Sequence, residues 1–199
     1  MPDTIDIICA VPAFRAVNTT HKNTKEKNPS STLSDDVAAR AAACNLLDSV
    51  LRKRHRAGDG FDSAVSALES RDRAFVRLLL ATTLRRLGQI DAVLKVFLTK
   101  PPADEIIDIL RLGAVQLLFL DTPPHAAVAT AVTLAKQYHQ RLGGLVNAVL
   151  RRVSEKGKAI VDEQDAARLA TPAWLWDSWL GAYGEPVTRG TAETHLTEP

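Results

Sequence analysis

The chain has little cysteine, with only Cys9 and Cys44 in 199 residues. Two distant thiols without companions at metal-ligand spacing make neither a disulfide framework nor a zinc site, and they fit the cytoplasm. An apolar run of membrane length is also missing. The most apolar stretch starts at Ile106, is interrupted by Asp108, Arg111 and Gln116, and stops at Asp121. That falls short of the roughly 20 apolar residues a spanning helix needs. No secretory leader is expected either, because residues 5–17 are mildly apolar but lack a basic start and are broken by Asp6, Pro12 and Arg15. No segment alternates apolar and polar residues between turn signals, which argues against strands. His125 has no second His, Cys or carboxylate at metal spacing, so its expected role is capping or packing.

What remains is helical periodicity. Residues 18–34 are almost free of apolar side chains and cannot offset the entropy of ordering, so residues 1–33 read as a disordered tail. Ser34 is placed to cap a helix whose first turn carries Asp35 and Asp36. Val37, Ala41, Cys44, Leu47 and Leu51 then recur every three or four residues, a single apolar stripe. The helix is expected to close on the Arg52 to Arg56 cluster and Gly58-Asp59-Gly60. Phe61, Val65 and Leu68 share a face of a short segment. Ser70 opens a longer one that contains Phe75, Leu78, Leu79, Leu84 and Leu87, with Gly88 as its expected bend or break.

The next helix, from Ile106, is apolar around nearly its whole circumference. A helix without a wet face belongs in the middle of a bundle. Pro124 starts the helix after it, where a missing N–H costs nothing, and that helix is rich in alanine and valine. Gly143-Gly144 precedes another, from Leu145 to Val153, in which Asn147 is expected to satisfy a buried backbone group. Thr171-Pro172 begins the last, with Trp174, Trp176 and Trp179, and Pro186 can start a short further helix. The body is therefore expected to be all-α.

The net charge of +2 conceals an asymmetry. Residues 37–160 hold 19 basic and 11 acidic groups, whereas residues 161–199 hold 2 and 7. A middle segment at +8 beside an end at −5 suggests a polyanionic partner for the bundle. Arg52, Lys53, Arg54 and Arg56 form the best candidate contact, since Arg and Lys neutralise phosphates whatever the base sequence. The alternative is a solvated helix end whose cations complement the macrodipole. Arg40, Arg71, Arg73, Arg77, Arg85, Arg86, Arg151 and Arg152 are further candidates, several of which must simply face water. Cys44, on the apolar stripe, is expected to be inert packing rather than a nucleophile.

The stretches Asp72 to Leu94, Ile109 to Lys136 and Gly143 to Val153 resemble the NusB-like RNA-binding domain at the front of the Fmu/Sun family of ribosomal RNA cytosine-5 methyltransferases. The Pro-Pro-His-Ala-Ala turn at residues 123–127 and the Val-Asn-Ala-Val-Leu-Arg run at 146–151 are its more specific parts, and the resemblance covers about Val37 to Tyr183. It implies a NusB-like helical bundle with a short helical C-terminal extension. The tail would be residues 1–33, the RNA-binding domain 34–156, and a helical linker 157–199 toward a methyltransferase domain absent from this chain.

That absent part would bind S-adenosylmethionine on a strand and glycine-rich turn, and it would supply the cysteine nucleophile. Gly58-Asp59-Gly60 and Gly143-Gly144 do not sit in that setting. The chain alone is thus expected to bind small-subunit ribosomal RNA through basic helix faces, with no catalysis, cofactor, metal or membrane contact of its own. Its partners would be that RNA and either a catalytic domain or a ribosomal protein. Free-standing NusB antitermination factors, which act with a ribosomal protein on leader RNA, are similar over the bundle and supply the competing reading. They end soon after the segment matching Val146 to Leu150, whereas this chain continues through Thr171 to Leu175, which looks like the linker of the enzyme family.

Overall fold

The structure is a computed structural model that describes residues 35–197. The expected tail over residues 1–33, with Cys9, and the capping role of Ser34 lie outside the described residues. Within them the protein is all-α, without a strand: α1 (Asp35–Leu51), α2 (Phe61–Ala64), α3 (Ser70–Arg85), α4 (Leu87–Phe97), α5 (Asp104–Leu118), α6 (Pro124–Tyr138), α7 (Gly143–Asp162), α8 (Ala166–Ala170) and α9 (Ala173–Leu196), with a 3₁₀ turn at Gln140–Leu142.

The apolar stretch beginning at Ile106 becomes α5, and it is the helix the others cover. It packs against α1, α3, α4, α6 and α7. Ile106, Ile109, Leu110, Leu112, Ala114 and Val115 are all buried. Small residues bring α6 and α7 close to α5. Ala127, Ala131 and Ala135 are buried on α6, and a Cβ added to Gly113 of α5 would stand 2.6 Å from Leu150 Cδ1 of α7. Burying a large aliphatic side chain contributes about 1.5–3 kcal/mol, so this one helix anchors much of the stability of the bundle.

Three local expectations are corrected. First, α1 ends at Leu51, so the Arg52 to Arg56 cluster forms a turn rather than a helix end. Arg54 adopts φ 59°, and the His55 N–H returns to the Ser49 carbonyl at 3.1 Å. Second, the break between α3 and α4 falls at Arg86, with φ −105° and ψ 12°, not at Gly88. Gly88 lies in the first turn of α4 and is needed for contact: an added Cβ would collide with the carbonyl oxygen of Leu169 on α8. Third, the helix expected from Leu145 to Val153 is α7, which runs on to Asp162 and buries Gly157 and Val161. The division expected between residues 156 and 157 therefore falls inside a helix.

The C-terminal extension is a helical hairpin of α8 and α9 with a small core of Ala167, Trp176 and Ala192, against which Trp179 packs. Two guanidiniums lie against Trp176, with Arg168 Cζ 5.3 Å and Arg189 Cζ 5.6 Å from its ring centre. Arg189 also grips Asp165 with both terminal nitrogens, at 3.0 and 3.1 Å. Gly184, at φ 75° and ψ 169°, interrupts α9 in a region open to glycine, and Pro186 follows it in the first turn of the second segment, as expected.

The hairpin docks on the α3–α4 junction. Gln89 Nε2 donates to Gln164 Oε1 and Gln164 Nε2 to the Gln89 carbonyl, both at 3.2 Å. Of the three tryptophans, Trp176 and Trp179 pack inside the hairpin, whereas Trp174 is 71% exposed.

Candidate nucleic-acid interface

The twelve basic residues singled out by sequence separate into two groups. Arg40 is buried, and its Nε donates to Gln116 Oε1 at 2.8 Å while Nη1 donates to the Asp36 carbonyl at 2.8 Å. Its guanidinium lies 4.9 Å from the Phe75 ring centre, and burial pulls its pKa below the usual value. Arg40 is a structural cation joining α1 to α5, not a surface contact.

Arg52 is committed as well. Its Nη1 donates to Asp108 Oδ2 at 2.6 Å and to Asp48 Oδ1 at 3.0 Å, and its Nε meets Asp104 Oδ2 at 3.0 Å. Burial opposes the Arg52 cation, but the hydrogen bonds and charges of Asp108 and Asp104 outweigh it and hold its pKa above the ordinary value.

Asp108 is the hub of this network. Its side chain is 1% exposed, and it accepts from Arg52 on one oxygen and from Arg111 Nη1 on the other, at 3.0 Å. Arg111 in turn grips Asp91 of α4 with two bonds of 2.7 Å. A carboxylate so buried requires this pairing, because an ionised group without partners carries a large desolvation cost. Arg86 is likewise drawn inward. It donates to Gln89 Oε1 at 2.9 Å and to the Leu196 carbonyl at 3.2 Å, and it lies 5.1 Å from the Phe119 ring centre. It joins the bundle to the hairpin.

The second group faces solvent. Lys53, Arg54, Arg56, Arg71, Arg73, Arg77, Arg151 and Arg152 are exposed, and Arg85 is half-buried. Lys53 Nζ pairs with Asp48 Oδ2 at 2.9 Å. Arg151 and Arg152 lie on α7, which packs on α4, α5 and α6. Arg73, Arg77 and Arg85 recur at multiples of four along α3 and so share one side of it. The structure brings this side to the turn after α1, because Arg77, Leu80, Ala81 and Leu84 of α3 line a groove of about 350 Å³ with Ala57 and Gly58 of the turn and with Phe61 and Asp62 of α2. The guanidinium of Arg77 lies 4.5 Å from the Phe61 ring centre. Residues 52–86 hold nine basic and four acidic groups, a net +5.

Reading the sequence missed the Asp108 hub and the pairing of Phe61 with Arg77. An aspartate inside an otherwise apolar helix could have signalled the first; nothing in the spacing of residues 61 and 77 signals the second. His125 is exposed at the start of α6, and Asn147 is half-buried on α7. Cys44 is buried and free. Burial, with the Asp108 carboxylate next, pushes its thiol up to about 12, as suits a packed thiol. Among the described residues no cluster of His, Cys, Asp or Glu could hold a metal ion, and no helix is long and apolar enough to cross a membrane.

Comparison with known proteins agrees with this architecture. The chain is 37% identical over 142 residues to the ribosomal RNA small subunit methyltransferase B of Thermus thermophilus, which covers 70% of this chain and 31% of that protein. It is 33% identical over 142 residues to the probable ribosomal RNA small subunit methyltransferase B of Bacillus subtilis, covering 66% of this chain and 32% of the relative. The chain thus spans about a third of the length of these curated relatives. Among solved structures, a chain in the crystal structure of antitermination factors NusB and NusE in complex with dsRNA shares the fold, with a TM-score of 0.56 and 23% identity over 62% of this chain and 98% of that one. A chain in the crystal structure of a plectonemic RNA supercoil does so too, with a TM-score of 0.56 and 23% identity over 66% of this chain and 100% of that one. The pattern of the NusB family matches residues 37–155, which spans α1 through most of α7, and the chain belongs to that family.

Proposed function

We propose that this chain is an RNA-binding module of the kind found at the front of ribosomal RNA cytosine-5 methyltransferases. It holds structured small-subunit ribosomal RNA by its phosphates, and methyl transfer is left to a catalytic domain. The observation that carries the reading is that Arg54 and Arg56 of the turn after α1 and Arg73 and Arg77 of α3 are exposed, with Arg77 lining a groove shared with that turn, on a NusB-family bundle. Its similarity to about a third of each methyltransferase relative supports the parentage. The buried, proton-retaining thiol of Cys44 supports a packing role for Cys44 rather than a nucleophilic one.

The test is binding to a small-subunit ribosomal RNA fragment across a salt series. With about five phosphates neutralised, affinity should fall roughly 10²- to 10³-fold between 50 and 200 mM salt. Combined Arg54→Glu, Arg56→Glu and Arg77→Glu changes should abolish most of the binding. A flat salt series, or full binding by that triple variant, refutes the reading. Incubation with S-adenosylmethionine and RNA should transfer no methyl group, and cysteine-dependent transfer would overturn the non-catalytic assignment.

One observation favours a second reading, antitermination. The fold matches a chain solved together with NusE and dsRNA. Capture of a NusE-type ribosomal protein by this chain on leader RNA, lost when its bundle surface is changed, would promote that reading over the first.

A further inference from the structure

The groove between the turn after α1, α2 and α3 has a chemistry that phosphate binding does not require. Its floor and one wall are apolar, from Phe61, Leu80 and Leu84, and the Arg77 guanidinium is held 4.5 Å from the Phe61 ring centre. The exposed Asp62 also lines it. In the groove itself the Asp62 carboxylate offsets the charge of Arg77, the one cation of the lining, while Arg54, Arg56 and Arg73 lie exposed outside it and are free to meet phosphates. The uncharged part of a nucleotide fits this division of charge. A nucleobase has a π face for an arginine plane and an apolar wall, and its edge can offer an exocyclic amine to a carboxylate. The volume, about 350 Å³, lies within the range of small-ligand sites, roughly 300–1,000 Å³.

We propose that this groove receives one unstacked, amine-bearing nucleobase of single-stranded RNA, stacked on Arg77 and read by Asp62, while the flanking phosphates lie on the exposed cations around it. The proposal rests on the RNA-binding reading above and adds to it a base-contacting site. Cytosine, adenine and guanine carry the exocyclic amine and uracil does not. Short oligocytidine should therefore bind more tightly than oligouridine of equal length, although their phosphate charges are identical.

The experiment measures the affinity of the full chain for oligocytidine and oligouridine across a salt series. Arg77→Lys keeps the charge but removes the planar stacking surface. It should weaken oligocytidine binding about tenfold, the usual worth of one stacked base, with the salt dependence unchanged. Asp62→Ala should erase the preference for oligocytidine, and both substitutions are at exposed positions, with circular dichroism confirming the fold. If Arg77→Lys and Asp62→Ala leave affinity and preference as in the parent while Arg54→Glu with Arg56→Glu still weakens binding, the base site is refuted and the phosphate reading stands. If the charge reversals also change nothing, both are refuted.

Discussion

Replacing Gly88 by alanine sets two physical effects of opposite sign against each other. Gly88 lies within α4, and on helix propensity alone alanine should stabilise that helix by about 1 kcal/mol. The tertiary structure demands the reverse. The new Cβ would collide with the Leu169 carbonyl oxygen and stand 2.8 Å from its carbon. These are backbone atoms of α8 that no rotamer change can move. Relief requires α8 to withdraw from α4, which breaks the reciprocal bonds between Gln89 and Gln164. Overpacking of this kind costs about 1–3 kcal/mol, and each lost hydrogen bond about 1 kcal/mol. After subtraction of the propensity gain, Gly88→Ala should destabilise the docked hairpin by about 2–4 kcal/mol.

All three tryptophans, Trp174, Trp176 and Trp179, lie on α9, so tryptophan fluorescence reports on the hairpin while far-UV circular dichroism is dominated by the bundle. In urea the fluorescence transition of Gly88→Ala should move to lower denaturant by about 1 M and separate from the dichroism transition. If both transitions instead move together to higher urea, the close approach of α4 and α8 is wrong and propensity alone governs the site.

Other outcomes follow from the buried charges and the strained turn. Asp108→Ala removes the buried anion shared by Arg52 and Arg111, which keep Asp48, Asp104 and Asp91, and should lower the unfolding free energy by about 1–3 kcal/mol in urea titrations; no change at all would mean the network is solvated. Arg54→Gly relieves a left-handed conformation at φ 59° and should raise the melting temperature, with a gain of about 1 kcal/mol, while removing one cation from the proposed RNA surface. Cys44 keeps its proton up to about pH 12 in the folded state, whereas an unfolded thiol loses it near ~8.5. Above that lower value the unfolded chain binds fewer protons, so stability must fall with rising pH, by about 1–2 kcal/mol at pH ~10. Urea midpoints of the parent and of Cys44→Ala should therefore diverge between pH ~8 and ~10, and parallel curves would contradict the burial of the thiol.

Much of the architecture was legible in the residues because helix formation and helix burial are local in their signals. The nearly complete apolar circumference of the stretch from Ile106, broken only by Asp108, Arg111 and Gln116, could only belong to a central helix, and α5 is one. Pro124 and Ser70 mark helix starts that the structure reproduces. Tertiary packing decided which cations face out. Arg40 and Gln116 stand 76 positions apart, and Arg52 and Asp108 stand 56 apart. No local pattern distinguishes an arginine destined for a buried carboxylate from one left in water. Arg52 and Arg54 belong to one basic cluster, yet one closes an interior network and the other faces solvent. The same holds for Gly88, which by sequence is a helix breaker and in the fold is the point where two backbones meet. The sequence by itself determined an all-α bundle around one apolar helix with a basic middle and an acidic end, since period and charge are written residue by residue. Only the tertiary structure decided which basic residues are drawn into the interior and which face solvent, and that Phe61 underlies Arg77, because those depend on pairings between distant parts of the chain.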